Sequence, residues 1–117
     1  MEKIVQKIER SYSEQDVAYI YYSVISIVNK LGITDMELNL LAYTAVRGGI
    51  TNPAAKKDFC EIYKTSLAYI NNMISKLRKK KLLIKKGSKI AITPVIALNF
   101  KNDIVLQIAL KNQDVPR

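Results

Sequence analysis

The punctuation of this chain limits its fold more than any other feature. Gly32, the Gly48-Gly49 pair, Asn52-Pro53, Gly87 and Pro94 divide 117 residues into short segments, and apolar residues recur within them at fixed spacings. Residues 2–11 suit a short helix, with Ile4, Val5 and Ile8 on one side. Ser13 reads as an N-cap, with Glu14 and Asp16 favouring the positive end of the helix dipole. Val17, Ile20, Tyr21, Val24, Ile27, Val28 and Leu31 then recur in steps of three and four, predicting a helix that runs to Gly32. Its β-branched residues favour strand, but they do not alternate strictly.

Thr34-Asp35-Met36-Glu37 is a capping-box pattern. It opens a helix expected to bury Leu38, Leu41, Ala42 and Ala45 and to end at Gly48-Gly49. Asn52 as cap and Pro53 at the first helical position start a third helix, with Phe59 and Ile62 as its expected core contacts. Tyr63-Lys64-Thr65 is a short connection. Thr65 or Ser66 caps a further helix running to about Lys80. The period then changes. Leu82–Lys85 and Lys89–Ile92 flank the turn signal Lys86-Gly87-Ser88 and read as a β-hairpin. Beyond Pro94, Val95–Phe100 and Ile104–Leu110 fit either a second hairpin or a strand beside a helix. The expected fold is mainly α with a small β component, in one domain. Residues 1–32 supply N-terminal helices, 33–94 the core and 95–111 C-terminal strands or strand plus helix.

Charge is divided along the chain. Residues 1–61 hold seven Lys/Arg and eight Asp/Glu, whereas residues 62–117 hold twelve and two, leaving the second half at +10. No acid lies between Glu61 and Asp103, and Lys76, Arg78, Lys79, Lys80, Lys81, Lys85, Lys86 and Lys89 crowd one stretch. A single-sign field of this density points to a polyanion partner, most often nucleic acid. The absences narrow the chemistry. With no His and one Cys, Cys60, the chain offers no His-based general base, no zinc finger and no internal disulfide. No phosphate-binding glycine loop and no run of 18 apolar residues occurs. The opening MEKIVQKIERSYS has no signal-peptide apolar core. No catalytic, metal or cofactor residues, no membrane partner and a cytoplasmic protein are the expectation.

On a wheel of about 100° per residue, Ile70, Ile74 and Leu77 of the Thr65–Lys80 helix share one face, flanked by Leu67 and Met73. The opposite face holds Thr65, Ala68, Asn72, Ser75, Lys76 and Lys79, with Tyr69 at its margin. This face is small, polar or basic and free of acid, as a helix entering a DNA major groove requires. Asn can bond adenine bidentately, and Ser or Thr can reach bases or phosphates. Lys76, Lys79, Lys80, Lys85, Lys86 and Lys89 would meet phosphates. Lysines at a helix C-terminus also offset its dipole, and a lysine run is commonly a solvated face. What sets this one apart is its continuation, without acid, from helix into hairpin.

ITDMELNLLAY followed by KKDFCEIYKTSLAYINNMISKLRKKKLLIKK resembles the winged helix-turn-helix family, and SKLRKKKLLIKKG is similar to a recognition helix entering a wing. MarR-like regulators and phage DNA-binding proteins are of this kind. The resemblance covers Ile33 to about Pro94. It implies double-stranded DNA binding by a transcriptional regulator, with the helix over 65–80 in the major groove and a basic wing over 85–89. The DNA-binding residues it implies are Thr65, Ser66, Ala68, Tyr69, Asn72, Ser75, Lys76, Lys79, Lys80, Lys85, Lys86 and Lys89. The Val17–Leu31 stripe serves either the core or a homodimer seam. A second function remains open: a structural or assembly protein, within a phage particle or replication complex, using the same fold for protein contacts. A single-strand-binding role is disfavoured, because the basic stretch 76–89 contains no aromatic residue.

Overall fold

The computed structural model describes residues 9–50 and 53–114. Four helices and one two-stranded antiparallel sheet form a mainly α fold with a small β component. The helix expected over 2–11 falls largely outside the described residues, and residues 9–13 are not helical.

Helix α1 spans Glu14–Asn29, with the Ser13 hydroxyl accepting from the Asp16 amide at 3.1 Å. It ends before Gly32. Lys30 takes the left-handed conformation (φ 52°, ψ 48°), and the Leu31 amide returns to the Ser26 carbonyl at 3.0 Å. This closure satisfies the last carbonyls without glycine, at a steric cost of about 1–2 kcal/mol for a side-chain-bearing residue. Lys30→Gly is therefore expected to raise stability by about 0.5–1 kcal/mol, less than the steric cost because glycine loosens the unfolded chain. Urea unfolding of the two proteins tests this.

Helix α2, Asp35–Arg47, begins with a complete capping box. Thr34 Oγ1 accepts from the Glu37 amide at 3.2 Å, and Glu37 Oε1 accepts from the Thr34 amide at 2.8 Å. Gly48 ends it at φ 73°. Leu38, Leu40, Leu41, Ala42, Tyr43 and Thr44 are all buried, so α2 is enclosed on more than one side. Ala45, expected in the core, is only half-buried. Ala18 and Tyr22 of α1 complete this contact. After α2, Ile50 exchanges two backbone hydrogen bonds with Ile90, at 2.8 and 3.0 Å. The approach requires Gly49 (φ 131°), since a Cβ there would stand 3.0 Å from the Ile90 carbonyl and 2.4 Å from Lys89 Cε.

Helix α3, Pro53–Tyr63, buries one side chain completely, Phe59. Asn52, its expected cap, lies outside the described residues. Ile62 is 54% exposed rather than in the core. The helix packs along the step-of-four ridge Ala55, Phe59 and Tyr63, which turns Ile62 to the outer margin. A polar clasp joins α2 to α3. Tyr43 donates to Asp58 Oδ2 at 2.6 Å, and Arg47 pairs with the same oxygen at 2.8 Å while lying 4.3 Å over the Tyr43 ring. Burial, then the bond to Asp58, pushes the Tyr43 hydroxyl up to about 12. An unfolded tyrosine titrates near 10. Between about pH 10 and 12 the folded state keeps a proton that the unfolded state releases, so stability present below pH 10 falls as pH rises through this window. The urea midpoint is expected to fall less steeply across it in Tyr43→Phe than in the parent protein.

Ser66, rather than Thr65, caps α4, accepting from the Tyr69 amide at 3.1 Å. Helix α4 spans Leu67–Lys79 and buries Ile70, Met73, Ile74 and Leu77, while Leu67 is 53% exposed. Lys81 (φ 62°) turns the chain into β1, Leu83–Lys86, which pairs with β2, Lys89–Ile92, across a two-residue turn at Gly87-Ser88. The core lies between α2, the inner faces of α1, α3 and α4, and Leu82, Leu83 and Ile92.

The strands or helix expected over Val95–Phe100 and Ile104–Leu110 do not form. Pro94–Ile96 make one 3-10 turn, and no strand or helix follows among the described residues. Pro94 cannot donate to a ladder, and the amides of Ile96 and Ala97 are spent closing that turn. Tyr22 then donates to the Ile96 carbonyl at 2.9 Å, drawing the chain off the sheet and onto α1. Ile96, Leu98 and Phe100 pack at the edge of the core.

Candidate nucleic-acid interface

The burial of Ile70, Met73, Ile74 and Leu77 fixes which side of α4 faces outward. Ala68, Tyr69, Asn72, Ser75, Lys76 and Lys79 are exposed along that side, Ser66 is exposed at the N-cap with its hydroxyl held by the Tyr69 amide, and Thr65 is half-buried just before it. Lys85, Lys86 and Lys89 are exposed on the hairpin. Ten of the expected interface residues other than Lys80 thus stand exposed, along with Thr65 at the margin.

Lys80 is placed elsewhere. Its ammonium donates to the Leu31 carbonyl at 2.6 Å and sits 3.4 Å from the Gly32 carbonyl. It ties the end of α4 to the α1–α2 loop, and these carbonyls take the place of a phosphate partner. The wheel gives the cause: Lys80 falls beyond the margin marked by Tyr69 and Lys76, toward the buried side.

The exposed face is bounded by two hollows. A shallow groove of about 460 Å³ separates the second half of α4 from β1, lined by Ser75, Arg78, Lys79, Leu83, Ile84 and Lys85. Three cations surround it, and none of them is ion-paired among the described residues. Arg78 is a groove residue that the wheel of α4 does not point to. It belongs to the basic run, but its wheel position lies on the flank of α4, and only the docking of β1 makes that flank one wall of a groove. On the opposite margin, a recess of about 110 Å³ lies between α2 and α4, lined by Thr34, Glu37, Tyr69, Asn72, Met73 and Lys76. Glu37 is 5% exposed, and its Oε2 has no hydrogen-bond partner among the described residues. From α3, Lys56 donates to Asn71 Oδ1 at 2.9 Å and adds a cation beside α4.

Chemically, the arrangement can hold an anionic chain. The groove presents one guanidinium and two ammonium groups around a serine hydroxyl, and the adjoining helix face offers a carboxamide and further hydroxyls. Comparison with known proteins finds no matching family model, no similar curated protein and no similar solved structure.

Proposed function

We propose that this chain binds double-stranded DNA as a transcriptional regulator of the winged helix-turn-helix type. The observation that carries this reading is the acid-free groove of Ser75, Arg78, Lys79 and Lys85, continuous with the exposed small and polar face of α4. The element order supports it: α2, the Ile50 bridge, α3, a short turn, α4 and the β1–β2 hairpin. In this reading α4 enters the major groove, where Asn72 and Ser75 reach base edges and Thr65, Ser66, Ala68 and Tyr69 line the approach. Lys76, Arg78 and Lys79 hold phosphates on one side, and Lys85, Lys86 and Lys89 hold them from the hairpin. Lys80 serves as a tether and not as a contact.

The test is the salt dependence of binding to a random-sequence duplex pool. Six phosphate contacts give a log–log slope of about −5, from a counterion release of about 0.9 per contact. A flat response would overturn the reading. Sequencing the retained duplexes then separates regulator from packaging or assembly protein, since only a regulator enriches a motif. The second function, a structural or assembly protein, draws on the exposed apolar residues Val95, Val105 and Leu110, which DNA binding leaves unused.

A further inference from the structure

The large apolar side chains left exposed are unevenly distributed. Ile20, Ile27 and Val28 lie along α1, at 38%, 76% and 52% exposure. Val95, Val105, Leu106, Ile108 and Leu110 lie in the C-terminal segment, at 89%, 87%, 38%, 46% and 89%. Neither set belongs to the basic face. The backbone of residues 104–110 makes no hydrogen bond among the described residues, so this stretch is an arm, with its donors and acceptors open.

We infer that the C-terminal arm of one copy lies along α1 of a second copy, and that the exchange is reciprocal, forming a dimer. Three observations select this occupant. The first is pattern. In an extended chain alternate residues share a face, and Ile104, Leu106, Ile108 and Leu110 are all large and apolar. They recur about every 6.6 Å, close to the ~6 Å separating residues four apart on a helix, such as Ile20, Val24 and Val28. The second is length. From Leu106 to Leu110 an extended arm covers about 13 Å, and from Ile20 to Val28 the helix covers about 12 Å.

The third is charge. The chain carries +9 at neutral pH, so two copies repel unless they meet where the field is weak. Residues 9–32 hold Glu9, Glu14 and Asp16 against Arg10 and Lys30, and residues 95–114 hold Lys101 and Lys111 against Asp103 and Asp114. These are near-neutral regions, and they adjoin at Ile96, whose carbonyl accepts from Tyr22 of α1. An acidic protein would instead be drawn to the basic groove. Exchange leaves that groove and the α4 face uncovered on both copies. The inference does not depend on the DNA reading, because neither surface contributes to it.

Cysteine pairing tests the exchange directly. In a Cys60→Ser background, Ile27→Cys and Ile108→Cys are made as separate proteins, mixed and oxidised, with one carrying a size tag. The expected product is a disulfide-linked pair containing both chains. Light scattering on the untreated protein should return twice the 13.3 kDa chain mass. Ile27→Asp with Ile108→Asp should raise the dimer dissociation constant at least about tenfold while the far-UV circular dichroism is unchanged. A monomer at every accessible concentration overturns the inference. So does a dimer linked only through Ile27→Cys to itself, which would place α1 against α1, or a series of species larger than the dimer. Salt-dependent DNA binding, measured on the same variants, reports separately on the function proposed above.

Discussion

Lys76→Glu, Lys79→Glu, Lys85→Glu and Lys86→Glu in one protein are expected to abolish duplex DNA binding while leaving the fold intact. Each side chain is exposed and none is ion-paired among the described residues, so replacement breaks no ion pair, and the helix-dipole loss at Lys76 and Lys79, about 0.3–1 kcal/mol each, is too small to unfold the domain. Each reversal sets a carboxylate against phosphate, and such like-charge juxtaposition costs several kcal/mol across an interface. Together the four should weaken binding by well over about a hundredfold. Lys80→Glu is the informative control. It lies in the same run, yet it bonds the Leu31 and Gly32 carbonyls, so its reversal should lower stability more than it lowers intrinsic affinity. A gel-shift titration paired with urea unfolding separates the two effects. Unchanged affinity in the fourfold variant would sink the proposed interface.

Phe59→Ala is expected to be the most damaging single truncation. Phe59 is fully buried and meets Tyr43 edge-on at 5.4 Å and Tyr63 at 4.6 Å between ring centres. Removing a buried phenyl ring typically costs about 3–5 kcal/mol, against about 5–15 kcal/mol for a whole domain. The location makes the loss selective. Helix α3 has no other fully buried side chain, so its remaining hold is made of half-buried Ala55, Cys60 and Tyr63, the Tyr43–Asp58–Arg47 clasp and exposed or half-buried bonds from Lys56 to Asn71 and from Gln15 to Tyr63. Hydrogen exchange should therefore show α3 opening ahead of α1 and α2, together with a markedly lower urea midpoint. Uniform protection across α3 and α2 in this variant would contradict that order.

The parts of the fold legible in the sequence are those set by local rules. Ser13, Thr34 with Glu37, and Gly48 act as their residue types predict, because a cap is decided within one turn. The hairpin follows from two β-prone runs around Gly87. The helical stripe of α4 foretells its buried side, and with it the exposed positions of the proposed interface, although Leu67 on its flank is exposed. What failed depended on partners distant in sequence. Ile62 matched a helical step but had no neighbour to bury it, and Val95–Leu110 had the composition of strands but is led off the sheet by Pro94 and the bond from Tyr22 to Ile96. The tether of Lys80 and the wall formed by Arg78 depend on contacts with the α1–α2 loop and with β1, which periodicity along one helix does not encode.

The bond from Lys80 to the α1–α2 loop also acts as a brace. It joins the far end of α4 to the point where α1 gives way to α2, so one exposed lysine links the end of the fourth helix to the junction of the first two, and its loss should weaken that corner of the fold first.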